Sequence, residues 1–156
     1  MIEPVVRQAA RDFDAHLERL QRYIRQPSVS AENRGIDETA VMVAKEIREL
    51  GGSGRVMPAK EFPIVYGRFD VGAKRTVVVH SMYDTTPAEE PNWSVPPFEA
   101  RRVAQFENLG DCIVGRGAED TKGPLTTVLN ALAAYRDAGV KLPCNIVIVL
   151  EASELG

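Results

Sequence analysis

The 156 residues, 44% hydrophobic and 26% charged, suffice for one domain with a core and exclude disordered or collagen-like classes. A net charge of −3 argues against a nucleic-acid binder, which presents a basic face. No apolar run approaches the roughly 20 residues of a membrane span, and Met1-Ile2-Glu3-Pro4-Val5-Val6-Arg7 lacks the basic-then-apolar pattern of a signal peptide.

Val6, Ala9, Phe13, Leu17, Leu20 and Ile24 recur at helical spacing, which predicts one amphipathic helix from Pro4 to Arg25. Pro4 suits its first turn and Pro27 stops it. His16 sits at the edge of the apolar stripe and reads as a boundary histidine. Gln26-Pro27-Ser28-Val29-Ser30 is a turn. Ile36, Ala40, Val43, Ile47 and Leu50 then predict a second helix, closed by Gly51-Gly52. Three strand-like runs follow: Arg55 to Met57, Ile64 to Phe69 and Arg75 to His80. The uniformly apolar Val77 to Val79 reads as a strand covered on both faces.

A proline-rich loop, Thr86 to Pro97, carries the sole tryptophan, Trp93. Phe98 to Glu107 and Asp111 to Val114 predict a hairpin around Asn108-Leu109-Gly110. Leu125, Val128, Leu129, Leu132 and Tyr135 mark a third helix ending near Gly139, and Asn145 to Leu150 is an apolar last strand. Cys112 and Cys144 stand alone, so reduced thiols in a cytoplasmic protein are expected, with Cys112 in the core. This order of elements predicts a three-layer α/β/α fold with a mixed sheet, the hairpin supplying its antiparallel part.

Sites in α/β sheets gather at the carboxyl ends of strands. Three such ends carry acids: Asp84, Asp120, and Glu151 with Glu154. Carboxylates brought together repel unless a proton or cation neutralises them, so convergence implies a metal. The alternative is that each acid caps a turn or helix. Gly115-Arg116-Gly117 lacks the third glycine of a dinucleotide loop, and Thr121-Lys122-Gly123 is no phosphate loop. No Gly-x-Ser-x-Gly occurs.

Five segments in order carry a family resemblance over nearly the whole chain. They are Arg25-Gln26-Pro27-Ser28-Val29-Ser30, Met82-Tyr83-Asp84-Thr85-Thr86-Pro87, Trp93-Ser94-Val95-Pro96-Pro97-Phe98-Glu99, Gly115 to Gly123, and Glu151 to Gly156. Together they resemble the N-terminal part of the catalytic domain in the metallopeptidase family of carnosinase-type dipeptidases, glutamate carboxypeptidase, acetylornithine deacetylase and succinyl-diaminopimelate desuccinylase. The resemblance implies hydrolysis of an amide or peptide bond in a small substrate by metal-activated water. By position, Asp120 matches the bridging aspartate, Glu154 a ligand glutamate, and Asp84 the aspartate that orients a ligand histidine.

Two positions depart from the pattern. Met82 stands where the family has its first histidine ligand, and Ser153 where the catalytic glutamate is expected. A thioether is a poor zinc or manganese ligand, and a serine hydroxyl is no general base near neutral pH. Glu151 shifted into the catalytic role, and His80 serving as a ligand from the same strand face, are the possible compensations. The resemblance therefore implies a divalent metal, zinc first with manganese or cobalt as substitutes, and one ion rather than two. It also implies later ligands, a lid domain and a homodimer, none of them in this chain, which alone is expected to be inactive. No nucleic-acid or membrane partner is expected. An aminohydrolase acting on a non-peptide amine and a non-catalytic binding relic are the alternative readings. Trp93 is either a packing residue or a substrate wall; Arg116 and Lys122 are read as binding backbone carbonyls or loop carboxylates.

Overall fold

The computed structural model describes residues 2–152. The first helical stripe folds as two helices, α1 (Glu3–Arg11) and α2 (Phe13–Arg25), rather than the single helix expected. The break is at Asp12, where φ is −90° and ψ 13°. There Gln8 Nε2 donates to Asp12 Oδ1 and Oδ2 at 3.1 and 2.9 Å. Gln26, preceding Pro27, turns extended (ψ 104°) and ends α2. Helix α3 (Ile36–Glu49) closes at Leu50, and Gly51 follows with φ +92°.

The main sheet runs in the order β1 (Ser53–Met57), β2 (Ile64–Phe69), β6 (Asn145–Glu151), β3 (Thr76–Met82). β2 pairs antiparallel with β1 and β6, whereas β3 pairs parallel with β6. The sheet is thus mixed as expected, but its antiparallel part is β1 and β2. The hairpin, β4 (Arg101–Val103) with β5 (Cys112–Val114), stands apart as a second two-stranded sheet. It lies within the crossover from β3 to β6, together with helix α4 (Lys122–Asp137).

Helices α3 and α4 cover one face of the main sheet. Ile47, Val65, Phe69, Leu129, Leu132, Ile148 and Leu150 form one buried core there. Gly67 permits the close approach, since a Cβ on it would lie 2.8 Å from Ile47 Cδ1. Helices α1 and α2 pack on α4. Among the described residues no helix covers the opposite face. Val78 is accordingly 63% exposed and Val77, on an edge strand, 48%, against the expected double cover. No described helix is long and apolar enough to cross a membrane.

An ion triad ties α2 to α3. The buried Glu46 carboxylate receives Arg19 Nε at 2.9 Å and pairs with Arg22, while Arg19 also donates to Asn130 of α4. Arg19 is mostly buried and Arg22 about half exposed. Arg19→Met is therefore expected to cost about 2–4 kcal/mol, breaking a buried pair. Arg22→Met is expected to cost under about 1 kcal/mol, as solvent screens an exposed partner. Urea unfolding of the two variants measures the difference.

Candidate metal-hydrolase site

β3 and β6 run parallel and deliver their carboxyl ends side by side, with Met82 opposite Glu151. Tyr83 N–H donates to the Glu151 carbonyl at 3.0 Å and continues the ladder past the strand end. Tyr83 is buried and donates its hydroxyl to the Pro63 carbonyl at 2.6 Å. Burial pushes its phenol well above the ordinary range, and the neighbouring Asp84 charge adds to the shift. Asp84 is itself fully buried.

The turn after α2 docks against this strand end. Ser28 Oγ donates to the Tyr83 carbonyl at 2.7 Å, and Thr85 N–H donates to the Ser28 carbonyl at 2.8 Å. From the other side, Thr121 Oγ1 donates to the Asp84 carbonyl at 2.7 Å. Thr121 occupies the N-cap position of α4 but makes no capping bond, because its hydroxyl is turned to Asp84. Lys122, also fully buried, sends its ammonium to the carbonyls of Tyr23 and Gln26 at 2.9 and 2.5 Å. Desolvation pushes that ammonium down to about 7, and the charge of Asp84 opposes the shift. Gly117, with φ +86°, is required where the loop passes this strand end, since a Cβ would meet Thr85 Cγ2 at 2.7 Å.

Asp120 lies on the surface beside this knot, joined to Thr121 by a cis peptide bond. It is not the cap of α4, and it makes no hydrogen bond among the described residues. His80 and Glu151 share the face of the sheet away from the core, with His80 Nε2 and Glu151 Oε1 2.8 Å apart. Both side chains are about half exposed, so His80 is not a buried strand histidine. Ser153 and Glu154 lie outside the described residues. Among the described residues no three His, Cys, Asp or Glu side chains group closely enough to hold an ion. An exposed carboxylate without a partner suits a divalent ion, whereas the Met82 thioether does not. Among the described residues Asp120 is thus one carboxylate open to an ion, and no complete metal site is formed.

The proline-rich loop is fastened to the same region by a cluster that the sequence reading left divided. Arg116 pairs with Glu90 and stacks on the Trp93 ring, its Cζ 5.0 Å from the centroid. Trp93 Nε1 donates to Glu90 Oε2 at 3.1 Å. The hydrogen bond from Arg116 holds the Glu90 carboxyl down at about 2. Lys122 on backbone carbonyls and Arg116 on a loop carboxylate match the expectation for those two cations. Ser28 and Thr121 escaped it; a hydroxyl at a helix start is the only local sign that Thr121 carries, and that sign points to a cap.

A family model described as Peptidase family M20/M25/M40 matches residues 78–156. The Cys-Gly metallodipeptidase DUG1 of Candida albicans is 32% identical over 156 aligned residues, covering 88% of this chain and 31% of that protein. An M20 family metallo-carboxypeptidase, Sso-CP2 from Sulfolobus solfataricus, superposes with a TM-score of 0.77 at 32% identity, covering 89% of this chain and 31% of its own. Human carnosine dipeptidase 1 superposes with a TM-score of 0.86 at 23% identity, over 98% of this chain and 35% of that one, and shares the fold. The chain therefore spans about a third of the length of these relatives.

Two outcomes are expected from this geometry. Lys122→Met leaves the Tyr23 and Gln26 carbonyls without their donor, and is expected to cost about 1–3 kcal/mol in urea unfolding. Glu90 has a folded pKa below its ordinary 4.5. Its contribution is therefore complete above that value and lost only as pH falls towards about 2. Trp93 emission is expected to stay constant from neutral pH to about 3, and an acid titration followed by fluorescence checks it.

Proposed function

The chain belongs to peptidase family M20/M25/M40, and on that premise we propose that it contributes to a metal-dependent hydrolase of amide or peptide bonds in small substrates. Dipeptides and N-acyl amino acids are the substrate classes. The observation that carries this reading is the knot joining three segments: Tyr83 N–H on the Glu151 carbonyl and Thr121 Oγ1 on the Asp84 carbonyl. These two bonds bring the Asp84, Asp120 and Glu151 segments to one end of the sheet, where sites in such folds gather. The names of the similar proteins, a Cys-Gly metallodipeptidase and a metallo-carboxypeptidase, support the substrate classes.

In this reading residues 1–156 are the N-terminal part of the catalytic domain. The rest of that domain and a lid domain, through which the whole protein dimerises, belong to a longer chain, and the 156 residues alone are inactive. Asp120 and Glu154 hold the ion, with His80 of β3 as the candidate imidazole ligand. When bound, a divalent ion, zinc first and manganese or cobalt in its place, supplies a nucleophile at neutral pH and polarises the scissile carbonyl. One ion is favoured over two, because Met82 removes an imidazole. Asp84 acts from below, its buried segment fixing the position of Thr121 and hence Asp120. Glu151, its Oε1 hydrogen-bonded with His80 Nε2 at 2.8 Å, is the carboxylate placed to take a proton as long as His80 stays off the ion. Ser153 has no comparable basicity. The lone cysteines favour a cytoplasmic setting.

The test is metal content, by elemental mass spectrometry of the gently purified protein, extended past Gly156 where the reading frame continues. One ion per chain is expected, and Asp120→Asn should weaken its retention by about tenfold or more. A protein that takes up no metal after incubation with zinc or manganese would overturn the hydrolase reading and favour a binding relic.

A further inference from the structure

The loop from Thr86 to Ser94 makes no backbone-to-backbone hydrogen bond among the described residues. A segment this long without regular structure needs another anchor, or it samples many conformations. Val95 is buried at its far end, and the Pro97 carbonyl accepts the Arg116 backbone N–H at 2.7 Å. In between, the contacts that hold it converge on one side chain. The Arg116 guanidinium pairs with Glu90, lies over the Trp93 ring at 5.0 Å, and is itself only 19% exposed. Glu90 closes the triangle by accepting the Trp93 indole N–H.

Arginine suits this place for a definite reason. Its planar fork can bond a carboxylate at one edge while its face stacks on an indole. A lysine ammonium is a point charge that can do the first and hardly the second. The residue sits on the loop that continues to Asp120, so the same side chain joins the Trp93 loop to the acidic loop. Trp93 in turn lines a groove of about 600 Å³ with Leu17, Leu20, Phe106, Ala118 and Glu119.

We propose that Arg116 is a positioning residue, which fixes Trp93 as a wall at the end of this groove beside the Asp120 loop. Its consequence for hydrolysis rests on the function proposed above; the anchorage does not. Trp93 is the sole tryptophan of the chain, so its fluorescence reads the contact without substrate or metal. Arg116→Met is expected to raise the acrylamide quenching constant of Trp93 at least about twofold, because loss of the stack and ion pair frees the loop. Arg116→Lys should restore little of it. Unchanged quenching in Arg116→Met, or full restoration by Arg116→Lys, would overturn the proposal. Should Arg116→Met not fold, the exposed substitution Glu90→Gln reads the same triangle: a rise in quenching supports it and no change overturns it. In the active enzyme, Arg116→Met should raise KM with kcat held, and a fall in kcat alone would sink the wall. Since quenching is read without turnover, a failed metal test and a failed clamp are separate results.

Discussion

The buried ammonium of Lys122 is the constraint on which the site depends. It lies where three segments far apart in sequence meet: the end of α2, the end of β3 and the start of α4. A cation taken out of water must find oxygens, and it finds the Tyr23 and Gln26 carbonyls at the C-terminal end of α2. Helix ends leave such carbonyls without intrahelical donors, so one interaction answers two needs. It also uses the stop at Pro27, which has no N–H to give the Tyr23 carbonyl. A further helical turn would take the Gln26 carbonyl into the helix ladder and move Ser28 away from Tyr83.

That knot shows which parts of the molecule local pattern could reveal. The stripe from Val6 to Ile24 marks helical burial, and it continues across Asp12 because the chain bends there without leaving its face. The bend comes from a polar pair, Gln8 with Asp12, and an apolar pattern is blind to it. Val77 to Val79 reads as doubly covered because a uniformly apolar run is the mark of a strand buried on both faces, yet here Val78 is 63% exposed. The hairpin was legible as a hairpin, but its membership of a sheet depends on long-range pairing, which turn residues do not encode.

Asp84 and Glu151 were legible as acids at strand ends because β3 and β6 run parallel to one edge, whereas Asp120 follows β5 of the separate hairpin and is brought there through Thr121. The hydroxyls that hold those ends were not. Ser28 and Thr121 each bond a carbonyl from a distant segment, and such bonds leave no periodic trace. Short-range logic even points the wrong way for Thr121, whose position before α4 suggests a cap. Arg116 and Trp93 were visible as residues, yet their stacking needs the proline-rich loop to fold back onto Gly115-Arg116-Gly117.

On the resemblance, Met82 stands where a ligand histidine is expected. Alternation along β3 puts Met82 and His80 on one face, and pairing with β6 puts Val149 and Glu151 beside them. His80 is therefore the only described imidazole on that face, and Glu151 already engages its Nε2. If His80 serves an ion, Nδ1 is the nitrogen left to do it, with Glu151 fixing the ring from behind as carboxylates do for metal-bound histidines. That role would take Glu151 out of proton transfer. His80 as ligand and Glu151 as base are thus competing assignments for one hydrogen bond, and the strand register couples them.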